Sequence, residues 1–388
     1  MKHRLLKVLL VSTLSSLFLS ASDRSYYMDE ENDPIKLQKE AMGKITPTVA
    51  PVVKHGIDAF LIGNFIYWNT RVDNVFIDQK SPLSSNDYQF LKNDKTKSVA
   101  TLVPVETTYN PSAKHSMAPG FKVGAGFNFC HDGWDLLARY TWLHSHGKSL
   151  SLNSTLLMSD IPSFSFFQGA VSASQLNSYW KLHFNSFDLE LGRAFYISQR
   201  LILRPLMSLK ASWQTQYLNK HFVNLAKNIY DVSNTGALLS TSTGGVSSYN
   251  EVYFWGLGIR PGLCTSWQIN DCFSVFGDGY VSALWGNFKS TRKDYSTNTS
   301  TSTSEISYTN LLIANLKSQY HTISAVVEFQ LGLRWETKFS NDDYRIRLQA
   351  SWEEQVYFNQ NQFIILGKAP YYGNLCMQGL NIEARLDF

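Results

Sequence analysis

The last nine residues, LNIEARLDF, alternate without a break. Leu380, Ile382, Ala384, Leu386 and Phe388 fall on one parity, and Asn381, Glu383, Arg385 and Asp387 on the other. A two-residue period puts successive side chains on opposite faces of a strand. One face is therefore apolar and the other charged. A soluble sandwich would turn the apolar face to a core and the polar face to water. A transmembrane barrel would turn the apolar face to lipid and the polar face to its interior. The pattern recurs along the chain, and the spacing of its recurrences chooses between the two.

Strand-like runs read at 56–70, 120–130, 133–145, 179–194, 201–214, 251–264, 271–287, 321–336, 343–356 and 375–388. In GFKVGAGFNFC (120–130), Phe121, Val123, Ala125, Phe127 and Phe129 share one face, with Lys122 and Asn128 on the other. WDLLARYTWLH (134–144) sets Trp134, Leu136, Ala138, Tyr140 and Trp142 against Asp135, Arg139 and Thr141. Aromatic residues at both ends of that stripe suit the two interfaces of a bilayer. Short connections near 131–133, 197–200, 268–271 and 340–343 alternate strictly with long ones near 80–118, 146–178, 215–250, 289–320 and 357–373. Compact soluble domains join their elements by about 4–6 residues. The expected fold is all-β, a transmembrane antiparallel outer-membrane β-barrel of about 10–12 strands with short periplasmic turns and long external loops. Extra hairpins in VDNVFI (72–77) or SVATLVPVE (98–106) would raise the count from ten to twelve. The runs STSTGGVSS (240–248) and STNTSTSTSEISY (296–308) read as mobile, solvent-exposed loop.

Composition agrees. Charged residues make up 17% of the chain, against roughly a quarter in soluble domains. The N-terminus opens with basic MKHRLLK and continues into an apolar run from Val8 to Ala21, followed by small residues at Ser20, Ala21 and Ser22. This is the layout of a cleaved signal peptide, and the run is shorter than the ~20 residues of a spanning helix. The expected organisation is a signal peptide at 1–21, a periplasmic N-terminal lead-in at 22–55 and the barrel at 56–388, in the bacterial outer membrane. Without residues 1–21 the formal charge falls from +4 to +1, with 32 bases against 31 acids. No nucleic-acid partner follows from so small an excess.

Several ordered pieces resemble one family. HDGWDLLARYTWLHS (131–145), FDLELGR (187–193), LRPLMSLKASW (203–213), GLGIRPGLCTSW (256–267) and GLRW (332–335) are similar to the Legionella-type major outer membrane proteins. That group also takes in the MOMP-like pore-forming proteins of chlamydia-related bacteria. FLIGNFIYW (60–68) resembles the family's first strand, although this chain continues into Val72-Asp73-Asn74 where an acidic-plus-Gly step is usual. The resemblance implies an abundant porin-like barrel for diffusion of small hydrophilic solutes. By general likeness to such barrels, Phe388 is the signal read by the barrel assembly machinery.

Parity assigns the interior. Lys122, Asp135, Arg139, Asp188, Glu190, Arg204, Lys210, Glu328, Arg334, Arg345, Arg347, Glu383 and Arg385 become candidate pore-lining residues, joined by Glu353 and Asp387. Two readings of that set are open. It forms a mixed-charge constriction of weak ion selectivity, or it knits into a salt-bridged plug in a narrow barrel. The second leaves a closed structural barrel acting as adhesin or surface antigen through its loops. No catalytic, cofactor or metal site is expected. His144 and His146 read as rim residues without a third metal ligand. Asp132 in HDG reads as a turn residue, and Gly256, Gly258 and Gly262 lack the helix a phosphate loop needs. Cys264 and Cys272 flank one turn and are the candidate disulfide, with reduced thiols the open alternative. Expected partners are outer-membrane lipids and lipopolysaccharide, the barrel assembly machinery, small polar solutes and further copies of the chain.

Overall fold

The computed structural model describes residues 58–75, 77–80, 106–109, 114–129, 133–152, 171–172, 175–230, 238–299, 311–365 and 372–388. The chain divides into two units, Met1–Pro47 and Thr48–Phe388, and all described residues belong to the second. The signal peptide and lead-in assigned to 1–55 lie outside the described residues, as does Cys130.

Ten long strands form one ring: β1 (Ala59–Val72), β2 (Met117–Asn128), β3 (Trp134–Leu152), β4 (Gln175–Arg193), β5 (Leu201–Tyr230), β6 (Leu238–Gln268), β7 (Phe273–Thr299), β8 (Leu311–Phe339), β9 (Tyr344–Tyr357) and β10 (Leu375–Asp387). Each pairs antiparallel with its neighbours in sequence. The ring closes where β10 meets β1, from Phe60 opposite Asp387 to Val72 opposite Leu375. One residue further, Phe388 and Ala59 exchange both backbone hydrogen bonds, at 2.9 and 3.1 Å. The terminal alternation thus belongs to the strand that seals the barrel. Ile77–Lys80 and Glu106–Tyr109 pair with each other and, among the described residues, add no strand to the ring; 98–105 lies outside the described residues.

The tight turns follow from local chemistry. Between β6 and β7 the Asn270 side chain accepts from the amides of Cys272 and Phe273 at 3.0 and 2.7 Å, closing an Asx turn. Between β8 and β9, Ser340, Asn341 and Asp342 all take positive φ, a conformation that Asn and Asp tolerate better than most side chains.

The outward face is a greasy band between aromatic collars. On β6 it runs from Trp267 through Leu263, Ile259 and Leu257 to Trp255, and on β7 from Phe273 through Val281 to Trp285, all exposed. Each stretch covers twelve residue steps, which at ~3.4 Å per step and a tilt near 45° spans about 28 Å of height. That matches a bilayer core with its interfaces.

The sequence expectation of long loops at 215–250 and 289–320 needs correction. Most of these residues continue the strands: β5, β6, β7 and β8 are 30, 31, 27 and 29 residues long. Residues 240–248, expected as mobile loop, pair within β6. Of the 296–308 run, residues 296–299 extend β7 and 300–308 lie outside the described residues. Ser/Thr runs carry no apolar signal, but their backbone groups complete a ladder once a neighbouring strand is in register. Beyond the Trp213–Trp255 pair, β5 projects roughly 40 Å past the membrane by the same rise and tilt.

Candidate functional site in the barrel interior

All thirteen candidate residues face the interior, because the ring registers carry one parity from strand to strand. Asn64 on β1 lies opposite Lys122 on β2 and Glu383 on β10. Arg139 on β3 lies opposite Asp188 on β4, itself opposite Lys210 on β5. Glu328 on β8 faces Tyr280 on β7.

The inward charges do not stand apart from one another. They join into ion pairs that reach past their own strands. Arg260 on β6 donates to Glu190 on β4 at 2.9 Å and to both oxygens of Glu328 on β8 at 3.0 and 2.8 Å. Lys210 lies 3.0 Å from Glu328 and 3.3 Å from Asp188. Arg204 forks onto Asp135, and Arg139 stands 4.0 Å from Glu190. Four bases meet four acids, so the cluster is neutral. On the other wall Lys122 donates to both oxygens of Glu353 at 2.6 and 2.7 Å, and Arg347 to Glu383 at 2.9 Å. Arg385 pairs with Asp387 and lies over the Phe60 ring at 3.6 Å. Lys210, Glu190, Arg260 and Glu328 are only 1–4% exposed. Nearer the periplasmic turns Asp135, Arg139, Arg204, Arg345 and Arg347 remain 14–19% exposed, and Arg334 is likewise half-buried against Gln349 and the Phe276 ring.

Two glycines make this packing sterically possible. A Cβ at Gly192 would lie 2.6 Å from the Arg204 guanidinium, and one at Gly262 would lie 2.3 Å from the Tyr280 ring, over which Arg260 stacks at 3.6 Å.

Above the charged layer, toward the long hairpins, the interior turns apolar. Ile66, Trp68, Ala118, Leu143, Trp180, Leu182, Phe184, Leu218, Phe254, Leu284, Phe288, Val326, Tyr357 and Met377 belong to one buried cluster with members from every strand of the ring. The alternation is inverted here. In WKLHF (180–184) the apolar residues point inward, while Lys181 and His183 face out. At this height the outside is headgroup and water, so the dry side is the lumen.

The β9–β10 connection completes the filling. Residues 360–365 turn inward, with Gln360 fully buried. Gln360 donates to Ser324 Oγ at 2.8 Å and meets Gln214, while its carbonyl accepts from Gln216 at 3.3 Å. Ser290 donates to the Gln362 carbonyl at 2.8 Å and Arg292 to that of Ile364 at 2.9 Å. Phe363 joins the apolar cluster. This strap was expected only as a long external connection.

Sequence reasoning missed Arg260, the hub of the network, although its opposite parity to Leu257 and Ile259 marks it as inward. The candidate disulfide is also corrected, since Cys264 and Cys272 are both free. Cys264 sits inside β6 with its sulfur 3.4 Å from the Tyr280 hydroxyl, and Cys272 is exposed in the turn. His144 and His183 stack at 4.1 Å on the outer face beside Trp142.

Over residues 60–388 the chain matches the family described as Legionella pneumophila major outer membrane protein precursor. No curated protein matches it in sequence. Among solved structures it is similar to the outer membrane protease OmpT of Escherichia coli, at 9% identity and a TM-score of 0.35, covering 85% of this chain and 96% of that one. It is also similar to a mutant of the monoaromatic hydrocarbon channel TodX, at 11% identity and a TM-score of 0.27, covering 85% and 89%. A FadL homologue of Pseudomonas aeruginosa follows at 8% identity and a TM-score of 0.25, again covering 85% and 89%. Likenesses of this strength carry no functional information. The residue match and the closed antiparallel ring agree: this chain belongs to the Legionella major outer membrane protein family, a family of outer-membrane β-barrels.

Proposed function

We propose that this protein is a structural and surface barrel whose lumen is closed to solutes at rest, presenting its long hairpins outside the cell. One observation carries the reading. A layer of buried ion pairs and a layer of buried aromatic rings occupy the lumen in series, and the inward strap joins the second. A hydrated path would leave its lining charges exposed. The four strands of 27–31 residues supply the external surface.

Diffusion of small hydrophilic solutes, which the resemblance implies, is the second reading. It is supported by the partly exposed charges at the periplasmic mouth. It requires the strap and the aromatic layer to move. We propose no catalytic, cofactor or metal chemistry. Removal of the N-terminal signal, insertion by the assembly machinery and self-association belong to the same proposal. Swelling of proteoliposomes in an isotonic small sugar tests it. Barrels inserted at normal density should swell no faster than protein-free vesicles, and rapid swelling would support the diffusion reading instead.

A further inference from the structure

We propose that Lys289, Lys293 and Lys317 form a docking site for the phosphates of an anionic glycolipid headgroup in the outer leaflet. The site rests on the outer-membrane reading and adds a ligand to it. On β7 the outward positions above the Trp285 collar are Asn287, Lys289, Thr291 and Lys293. On β8 Lys317 lies opposite Thr291, which places it diagonally between Lys289 and Lys293 at a Cβ separation of about 7–8 Å. Three ammonium groups thus converge on one patch.

The patch has the character of an anion site at a lipid surface. All three lysines are exposed, and none makes an ion pair among the described residues. Tyr253 stands opposite Lys289 and Tyr249 opposite Lys293, with the crossed Trp255 and Trp285 rings below at 5.9 Å. The one acid within the group, Glu251, lies opposite Thr291 and leaves a net excess of two positive charges. By the strand rise and tilt, the lysines sit roughly 10–20 Å above the Trp285 backbone. A glycerophospholipid headgroup layer is only about 5–8 Å thick. A phosphorylated sugar headgroup is thicker and places anions over the whole span.

The test uses the full-length protein refolded in detergent. Binding of bisphosphorylated lipid A and of its dephosphorylated form is compared by native mass spectrometry. The variants are K289Q/K293Q/K317Q and, as a control at the opposite rim, K338Q. Each lysine at an anionic surface contributes about fivefold, so the triple change should weaken lipid A binding roughly 100-fold. K338Q should leave it unchanged, and the dephosphorylated lipid should bind wild type and triple variant alike. Equal lipid A binding by wild type and triple variant overturns the site. If the triple variant loses heat-modifiable gel mobility, K317Q alone decides the matter, with about a fivefold loss expected and no loss counting against the site. Failure of the wild type to insert into phospholipid vesicles would instead sink the barrel reading on which the site rests.

Discussion

Replacing Arg260 by Met measures how dry the lumen is. Arg260 is 3% exposed and is the shared partner of Glu190 and Glu328. Met keeps the unbranched stem of the side chain and removes the guanidinium with its charge. Glu328 would retain Lys210 at 3.0 Å, and Glu190 would retain only guanidinium groups at 4.0 Å. Removing one partner of a buried pair costs about 3–5 kcal/mol, because the other charge stays desolvated. The same pair in a water-filled lumen would contribute about 0–1 kcal/mol. Urea unfolding in lipid vesicles, followed by tryptophan fluorescence and gel mobility, separates these ranges. Adding E190Q to R260M removes the charge left without a close partner and should recover part of the loss, with a coupling of about 0.5–3 kcal/mol. A loss below about 1 kcal/mol for R260M, with no coupling, would refute the argument that water is excluded from this layer.

Other consequences are equally direct. Gly192→Val places methyl groups where the Arg204 guanidinium lies, and should cost about 1–3 kcal/mol in the same unfolding assay; an unchanged midpoint would show that Arg204 does not need that space. Cys272 should react with a maleimide in the folded barrel while Cys264 should not, and electrophoretic mobility should be the same with and without reductant; a shift on reduction would restore the disulfide. Deleting Phe388 removes two backbone bonds of the seam, which contribute about 1–3 kcal/mol together. Its main effect should be on delivery, and normal outer-membrane levels of the truncated protein would show that the residue is not an assembly signal.

The ring itself was legible because lipid is an unforgiving neighbour. Outward positions between the collars are almost all apolar, and the Thr265 hydroxyl is spent on the Gly277 carbonyl, so parity, strand order and the inward set from Lys122 to Arg385 could all be read. Outside the bilayer that constraint lapses. The Ser/Thr runs of β6 and β7 carry no periodicity, and their strands exist because a partner strand is in register. The aromatic layer was missed for a related reason. Phe60, Ile62, Ile66 and Trp68 give β1 apolar residues on both faces, the mark of a strand buried on both sides, and WKLHF reverses the parity of the rest of its strand. Both are visible in the sequence, but neither reading of the interior, charged constriction or salt-bridged plug, called for aromatic rings there. The strap depends on side-chain hydrogen bonds from β5, β7 and β8, which no local pattern in residues 358–365 announces.

Single-channel recording of the refolded, full-length protein in a planar bilayer tests the central claim most directly. With insertion confirmed by heat-dependent gel mobility, the filled lumen predicts no discrete conductance steps at low voltage. Steady, long-lived openings whose size scales with salt would mean that ions pass the Arg260–Glu328 layer, and would contradict a closed barrel.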